Sequence, residues 1–438
     1  MWSKNISFTN SELHLSGISA TKLAQDFGTP TFFIDEEDFK DRANTWNKSL
    51  QDHFGANAGT VYYAAKAFIS VAVAKWVKEC GIGIDVCTGG ELAVAIAGGI
   101  DPQKIEVHGN NKSISEIDRA IAAGVKTIVI DSHHEIERVA ALAKKHGVVQ
   151  AVMLRLTPGI QAHTHESIST AHEDVKFGFS IASGAAWRAI IDVQNHPQLE
   201  LRGFHSHIGS QIFGTDSFQL AADRLIALLA HYRDEFAKEL PELDLGGGYG
   251  IAYLPNEVAL EPDVVMPALY SAVSGACKKY NLKIPKISIE PGRAIVGPTT
   301  FTLYEVGTTK DVVLEDGSIR RYISVDGGMS DNIRPSLYDS QYHAVIAHRA
   351  SVAESISSRV VGKHCETGDI VIRDISLPAD IAPGDLIAVP ATGAYGRSMA
   401  SNYNHVPRPP VVAVLKGKAR IIVRRENEED LLALDVKE

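Results

Sequence analysis

Eight short apolar segments, each followed by a polar or glycine-rich turn and an amphipathic segment, occur between residues 61 and 292. Strands that alternate with helices in this way imply a parallel sheet, and eight such units imply a closed (β/α)8 barrel. A doubly wound α/β sheet is the alternative, but no Gly-x-Gly-x-x-Gly motif opens a helix after the first strand. The predicted strands are 61–66, 81–86, 105–109, 127–132, 151–157, 201–208, 243–247 and 286–292.

The residues after the eighth segment have a different pattern. From about residue 298, apolar and polar residues alternate, and glycine and proline separate the short segments, which predicts an all-β domain. Glu315-Asp-Gly-Ser318 is a candidate hairpin turn. We therefore predict a barrel domain over residues 36–297 and a β-sandwich or β-barrel domain formed by residues 1–35 and 298–438. A strand around Thr31–Asp35 is expected to pair into this second domain.

Chemically active side chains are expected at the carboxyl ends of the barrel strands, because active-site loops leave a barrel from that face. Residues of this kind do occupy the predicted strand ends, so we expect the functional site there. They are Lys66, Asp85, His108, Asp131, Arg155, His207, the glycines 246–248, Glu290 and Arg293.

Lys66 ends the first strand, in the stretch Val61-Tyr-Tyr-Ala-Ala-Lys-Ala-Phe68. Lysine is rarely buried without a partner, and burial lowers the pKa of an ammonium group. A neutral amine attacks carbonyl carbon, which makes Lys66 a candidate Schiff-base lysine. A lysine that extends from the strand end into solvent is the alternative for this stretch taken alone.

The composition argues against several classes of protein. With 438 residues, 45% hydrophobic and 22% charged, the chain is typical of a two-domain globular protein. The net charge is −10 and no basic patch stands out, so no nucleic-acid partner is expected. No apolar run approaches the roughly 18 residues of a membrane helix, and no signal-peptide core opens the sequence, so we expect a cytoplasmic protein. The four cysteines form no Cys-x-x-Cys motif, which argues against a zinc ribbon or a disulfide framework.

Two strand ends are suited to a phosphorylated ring. Gly246-Gly-Gly-Tyr-Gly250 follows the seventh strand, where backbone N–H groups of a glycine loop can point at a phosphate; a tight turn without a ligand is the alternative. Glu290-Pro-Gly-Arg293 follows the eighth strand. A carboxylate in a barrel mouth needs a partner, which a protonated ring nitrogen or Arg293 itself would supply.

His205-Ser-His207 lies on the sixth strand, whose alternation places both imidazoles on one face. A flat ring beside a flat cofactor is one use of such a histidine, and metal binding is another. His163, His165 and His172 would supply further ligands in the second case. Barrel metallohydrolases carry their His-x-His motif on the first strand, however, and here the first strand carries Lys66.

A reactive lysine, a phosphate loop, a ring-facing carboxylate and a stacking histidine together indicate pyridoxal 5'-phosphate (PLP). From about residue 25 to the carboxyl terminus, the sequence resembles the barrel-type PLP-dependent decarboxylases related to alanine racemase, and most closely the diaminopimelate decarboxylases. This resemblance implies fold type III, a TIM-like barrel with an all-β domain. The motifs that carry it are YYAAKA, HSHIGSQ, LDLGGGYG, EPGR, DGGMSDNIRPSLYD, CETGD and GAYGRSMASNYN.

The resemblance implies a role for each matching residue. Lys66 would be the Schiff-base lysine, and Cys365 would return a proton to Cα, with Lys66 as the alternative donor. The implied cofactor contacts are Lys66, His207 on the ring, Ser210, Gly247 and Gly248 at the phosphate, Glu290 at the ring nitrogen, Pro291, Gly292, Arg293 and Tyr395. The implied substrate contacts are Arg293, Arg334, Tyr338, Glu366 and Tyr395, and no metal ligand is implied.

The distal end of the substrate distinguishes the decarboxylases of this group. Diaminopimelate ends in an ammonium and a carboxylate, which an arginine and an acid read together. Arg334 and Glu366 supply this pair, so we expect conversion of meso-2,6-diaminopimelate to L-lysine, the last step of lysine biosynthesis. Decarboxylation of ornithine, arginine or carboxynorspermidine is the alternative, followed by a racemase and by a non-catalytic binding homologue.

The resemblance also implies a homodimer in which Cys365 and Glu366 complete the site of the other chain. His364 stands where a small or apolar residue is expected, and the sequence assigns it no role. The histidines of the stretch 161–176 also remain without an assignment.

Overall fold

The computed structural model describes residues 1–159 and 176–436. They form two compact units, one built around the barrel and the other around a mixed, mostly antiparallel sheet. The sheet unit comprises Met1–Asp41, Ile251–Val258 and Ile295–Glu438, and the barrel unit comprises Arg42–Gly250 and Ala259–Ala294. No helix in the part of the chain that the structure describes is long and apolar enough to cross a membrane.

The chain begins with a small antiparallel sheet and two helices. Helix α1 starts where the side chain of Ser19 accepts a hydrogen bond from the backbone N–H of Lys22, which satisfies one of the unpaired donors of the first turn. The elements are β1 (Ile6–Thr9), β2 (Glu12–Leu15), β3 (Ile18–Ser19), α1 (Ala20–Phe27), β4 (Thr31–Asp35) and α2 (Glu36–Phe54).

Eight parallel strands close into the predicted barrel. Each strand pairs with the next in the chain, the fifth pairs with the fourth and the sixth, and the eighth returns to the first, so no edge is left open. A two-residue strand, β10 (Phe179–Ser180), lies beside the fifth. The barrel strands are β5 (Gly59–Ala64), β6 (Gly83–Val86), β7 (Ile105–Val107), β8 (Thr127–Ile130), β9 (Gln150–Thr157), β11 (Leu199–His205), β12 (Glu242–Asp244) and β13 (Lys286–Ile289).

Helices follow the strands, as the alternation predicts. The sequence spacing of Leu220, Leu225, Leu228 and Leu229 predicts one buried stripe on α8. The last three are buried, but Leu220 is 43% exposed, so the prediction is wrong for Leu220. The helices are α3 (Val71–Glu79), α4 (Gly89–Ala97), α5 (Ile114–Ala123), α6 (His133–His146), α7 (Ala185–Gln194), α8 (Asp216–Phe236), α9 (Pro262–Lys279) and α10 (Arg293–Val296).

Ser113-Ile-Ser-Glu116 and Ser132-His-His-Glu135 both have the sequence spacing of a capping box, and one of the two boxes is present. Ser113 and Glu116 exchange the expected hydrogen bonds at the start of α5. At the start of α6, however, Ser132 makes no side-chain capping bond. Glu135 instead accepts the backbone N–H of Asp131 at 2.8 Å and pairs with the buried ammonium of Lys112 at 2.6 Å. A tertiary ion pair has replaced the local motif.

The sheet unit is an all-β domain with a strand from the amino-terminal part of the chain at its centre. β4 pairs antiparallel with β14 and parallel with β20, and all five of its residues are buried, which confirms the predicted pairing. The other elements are β14 (Thr300–Val313), β15 (Ile319–Val325), α11 (Arg334–Tyr338), β16 (Val345–Ile346), β17 (Ser355–Val361), β18 (Ile370–Pro378), β19 (Leu386–Val389), β20 (Val411–Leu415), β21 (Lys418–Val423) and α12 (Glu428–Leu432).

The predicted hairpin turn between β14 and β15 is also present. The backbone N–H of Leu314 donates to the carbonyl of Ser318 at 2.8 Å, and Gly317 adopts φ 81°, which glycine tolerates without strain.

Inside the barrel, Glu106 of β7 is fully buried. Its carboxyl lies 3.8 Å from the ammonium of Lys126, which also bonds the hydroxyl of Tyr62 at 2.8 Å and Glu242 at 3.1 Å. Burial raises the pKa of Glu106 to about 8, against the opposing effect of Lys126, while Glu290 and Glu242 raise it further. Glu106 therefore binds a proton near neutral pH.

We expect Glu106→Gln to change the pH dependence of stability. The folded chain binds a proton at Glu106 between pH 4.5, the usual carboxyl value, and about 8, so this group makes the free energy of unfolding fall as the pH rises through that window. Glutamine does not titrate, so the free energy of unfolding of the variant should not show this decrease. Between about pH 5 and 9, it should therefore rise by a few kcal/mol relative to that of the parent. Urea unfolding at both pH values measures the difference. Glu315→Gln, at an exposed position, serves as the control. The prediction is contradicted if, for both variants, the difference in free energy of unfolding from the parent is the same at the two pH values.

Candidate active site

Lys66 lies in a short 3-10 turn, Ala65–Ala67, that directly follows β5. Gly292 packs against this turn: a Cβ at position 292 would lie 2.7 Å from the Cβ of Ala64 and 3.1 Å from that of Ala67. Any larger residue would push the two segments apart. The glycine of the Glu290–Arg293 turn thus allows the segment after β13 to approach the segment that carries Lys66.

Glu290, the first residue after β13, is buried between two histidines. Its Oε1 lies 3.1 Å from Nε2 of His108 and 3.2 Å from Nε2 of His205. Burial alone would raise the pKa of Glu290, but His108, His205 and Lys66 together hold it well below the usual range. Burial also lowers the pKa of both histidines, and the charge of Glu290 opposes this shift.

The positive charge of Lys66 acts on the pKa of two further groups, Asp85 and Cys87. Asp85 is the penultimate residue of β6 and is buried, and neither of its carboxylate oxygens has a hydrogen-bond partner among the described residues. Burial raises the pKa of Asp85 well above its usual range, with Lys66 opposing the shift. Burial likewise raises the pKa of the neighbouring Cys87 to about 12, which keeps that thiol protonated. A buried polar group without a protein partner is a position where a ligand can bind.

The glycine loop after β12 packs closely against the segments that follow β13 and β11. A Cβ at Gly247 would lie 2.1 Å from the carbonyl oxygen of Glu290, and one at Gly248 would lie 2.1 Å from that of Gly209. Gly248 also has φ 107°, which other residues rarely adopt. The backbone N–H of Gly247 donates to Nδ1 of His207 at 3.3 Å, so Nε2 of the neutral ring carries its proton.

Ser210 and Arg293 contact each other at the same end of the barrel. The Nη2 group of Arg293 donates to Oγ of Ser210 at 2.9 Å, and Arg293 is buried. Lys66, His207, Ser210, the glycine loop and the Glu290–Arg293 turn thus all follow barrel strands at their carboxyl ends.

The histidines considered as metal ligands do not share one site in the structure. His205 contacts Glu290, whereas His207 contacts the glycine loop. His163, His165 and His172 lie outside the described residues. Among the described residues, the side chains close enough to share a cation are His108, His205 and Glu290, and Glu106, Asp244 and Glu290. Both groups use Glu290, so a cation would compete with the histidine contacts of this carboxylate.

In the sheet unit, Arg334 begins α11 and is buried among tyrosine rings. Its guanidinium carbon lies 5.3 Å from the ring centre of Tyr253 and 5.8 Å from those of Tyr338 and Tyr395. Its Nη2 donates to Oγ of Ser340 at 3.1 Å. No carboxylate within the described parts of the chain comes within 4.0 Å of this guanidinium. A buried cation in such surroundings favours an anionic ligand.

Tyr395 has an unusual backbone conformation. Its φ is 60°, in the left-handed region that bulky residues rarely adopt, and Gly396 follows it. Strained residues of this kind persist only where the surrounding structure holds them, and they are concentrated at functional sites.

Cys365 and Glu366 occupy the loop between β17 and β18, and both are exposed. Asp369 anchors the end of this loop: its Oδ1 accepts the N–H of Met329 at 2.6 Å, and its Oδ2 accepts the N–H of His364 at 2.7 Å. The loop therefore presents Cys365 and Glu366 outward from a fixed base.

The structure also places near these clusters residues to which the sequence assigned no specific contact with cofactor or substrate. Their strand-end positions were visible in the sequence for some of them, but their partners were not. They are Asp85, Cys87, His108, Arg155 and His205 in the barrel unit, and Tyr253, Ser340, Tyr342 and Asp369 in the sheet unit.

Comparison with known proteins gives a consistent result. Residues 36–297 match the family described as "Pyridoxal-dependent decarboxylase, pyridoxal binding domain", and residues 204–393 match "Pyridoxal-dependent decarboxylase, C-terminal sheet domain". The chain is 53% identical to a diaminopimelate decarboxylase of Mycobacterium tuberculosis (97% of this chain, 94% of the relative) and 50% identical to that of Mycobacterium leprae (100% and 93%). A solved diaminopimelate decarboxylase of m. jannaschii, in complex with L-lysine, superposes with a TM-score of 0.91 at 29% identity (100% and 99%).

We expect Glu290→Gln to move the titration of the neighbouring histidines. Burial lowers the pKa of His108 and His205, and the charge of Glu290 partly offsets this, so its removal should lower both values further. Ring 15N chemical shifts measured across a pH series report the change. Glu200→Gln, an exposed substitution on β11, is the control and should leave both titrations in place. A higher pKa in the Glu290 variant would contradict the assignment.

Proposed function

This chain belongs to the family of pyridoxal-dependent decarboxylases, and from that premise we propose that it converts meso-2,6-diaminopimelate to L-lysine and carbon dioxide, the last step of lysine biosynthesis. It is a carbon–carbon lyase. The observation that carries the choice of substrate is the buried guanidinium of Arg334, which lies among tyrosines with no carboxylate partner in the described chain. A substrate with a second carboxylate supplies that partner.

The residues of the barrel unit fit PLP. The glycine loop leaves no space for a Cβ and is suited to a phosphate held by backbone N–H groups, with Ser210 beside it. The ionised Glu290 would hold a proton at the ring nitrogen, and His207 would lie against the ring. Lys66 would form the covalent link. Bound PLP would supply an electron sink for the pair of electrons left when carbon dioxide departs.

The chain's own residues have separate tasks in this reaction. Glu290 stays ionised because His108, His205 and Lys66 hold its pKa well below the usual range, and Nε2 of each histidine lies within 3.2 Å of its Oε1. Arg334 and Tyr338 orient the distal carboxylate, and Glu366 binds the distal ammonium. Arg293 and Tyr395 contact substrate and cofactor. Cys365 returns a proton to Cα, with Lys66 as the alternative donor.

We further propose a homodimer in which each chain completes the site of the other. The exposed Cys365–Glu366 loop supports this proposal, because a proton donor and a substrate ligand in open solvent need a surface to cover them. We also propose a cytoplasmic location. Cys87, Cys277 and Cys365 are free thiols, and thiols persist in a reducing compartment.

Cofactor and substrate can be tested together on the purified protein. We expect a visible absorbance band in the parent that is absent from Lys66→Ala, and carbon dioxide release from meso-diaminopimelate but not from L-ornithine or L-arginine. Release from ornithine or arginine would keep the chemistry and overturn the choice of substrate. A parent protein without the band, even after PLP is added, would remove the proposed cofactor.

Arg334→Ala should abolish recognition of the distal carboxylate of the substrate. Loss of one member of a buried charge pair costs about 2–5 kcal/mol, so kcat/KM for diaminopimelate should fall by about thirtyfold or more. The visible band of the parent should remain. Arg359→Ala is a matched control, because the guanidinium carbon of Arg359 also lies over a tyrosine ring, 5.8 Å from the ring centre of Tyr322. Equal activities of the two variants would remove Arg334 from the site.

Mixed dimers test the shared site. Chains carrying Lys66→Ala and chains carrying Cys365→Ala should each be impaired alone. After subunit exchange, half of the dimers are hybrids with one complete site, so activity should recover to roughly a quarter of the parent value. Exchange is verified with two different affinity tags. No recovery after verified exchange would mean that each chain completes its own site.

A further inference from the structure

His364 is buried, although Cys365 and Glu366 directly after it are exposed. Its Nε2 lies 2.8 Å from Oγ of Ser330, and its Nδ1 lies 3.2 Å from Oδ1 of Asn404. An amide oxygen only accepts, so Nδ1 carries a proton and donates it. Both ring nitrogens are therefore used for contacts with segments distant in sequence.

These contacts join the three segments of the sheet unit that carry the proposed substrate residues. Ser330 lies in the turn that precedes Arg334, and Asn404 lies in the segment that follows Tyr395. The backbone N–H of Ser401 donates to the carbonyl of Ser330 at 2.9 Å, which ties these two segments to each other. The imidazole of His364 then attaches the loop of Cys365 to both.

The backbone of the same residue is held as well. The N–H of His364 donates to Asp369, whose other oxygen accepts from Met329, and the N–H of Lys363 donates to Gly327 at 3.0 Å. Within residues 1–159 and 176–436, the hydrogen bonds of Glu366 are local, such as the bond from its N–H to the carbonyl of His364 at 2.8 Å. Among the described residues, the side chains of this loop that bond to other segments are thus the imidazole of His364 and the carboxylate of Asp369.

An apolar residue at this position would fill the volume but would leave the buried hydroxyl of Ser330 without its histidine partner, which costs stability, and would remove the contact with the exposed amide of Asn404. A small residue would leave a cavity. The ring also packs against Tyr403, with centroids 5.4 Å apart. Histidine provides two hydrogen-bonding atoms on opposite sides of a rigid ring.

We propose that His364 is a positioning residue: it fixes the Cys365–Glu366 loop against the segments that carry Arg334 and Tyr395. The inference rests on the proposed function, because placement of this loop affects turnover only if Cys365 acts on the substrate. Misplacement of a reacting group by about 1 Å costs as much as a hundredfold in rate.

A double-mutant cycle tests the proposal on the full-length holoenzyme. Turnover of diaminopimelate is measured for the parent, His364→Leu, Cys365→Ala and the combination. We expect His364→Leu to lower kcat by about tenfold or more, and by less than about twofold when Cys365 is already alanine, because no thiol is left to misplace. His364→Gln, whose amide reaches Ser330, should recover most of kcat. If the leucine variant does not fold, His364→Asn takes its place in the cycle.

His348→Leu is the control for a structural effect alone. His348 lies in the same unit, accepts the N–H of Leu386 at 3.3 Å and lies 3.3 Å from Asp385. Its substitution should lower the melting temperature and change kcat by the same factor in both backgrounds. An equal loss from His364→Leu with and without Cys365 would overturn the inference. Full activity of Cys365→Ala alone would instead overturn the proposed role of the thiol, and the inference with it.

Discussion

The ionised carboxylate of Glu290 is the constraint on which the carboxyl end of the barrel depends. A carboxylate buried this deeply is costly unless donors and positive charge surround it. Here Nε2 of His108 lies 3.1 Å and Nε2 of His205 lies 3.2 Å from its Oε1, and Lys66 adds a charge. These groups follow or end four different strands, so the charge is balanced only when the barrel is closed and its strands are in register.

The sheet unit has the opposite electrostatic problem. Arg334 is a buried cation among tyrosines, with no carboxylate near it in the described chain. Aromatic faces stabilise a guanidinium only in part, and an anionic ligand would complete its surroundings. The chemistry we propose is divided in the same way: the barrel unit stabilises a cationic ring, and the sheet unit reads a carboxylate on the substrate.

Features that depend on local pattern could be predicted from the sequence. The strand–helix alternation indicates the barrel because each segment shows its own period, and the fully buried Thr31–Asp35 strand pairs as expected. Features that depend on a distant partner could not. Ser132 and Glu135 have the spacing of a capping box, but Glu135 instead binds Lys112. The sequence around α6 does not predict this ion pair.

The candidate site divides along the same line. Lys66, Glu290 and the glycine loop are recognisable because a charged or glycine-rich strand end in a barrel is itself a signal. His364 carries no such signal, because a histidine has a role only through the groups that its two nitrogens meet. Those groups, Ser330 and Asn404, lie 34 and 40 residues away in sequence. Reactive groups are therefore visible in a sequence, whereas the residues that hold them in place become visible only once the chain is folded.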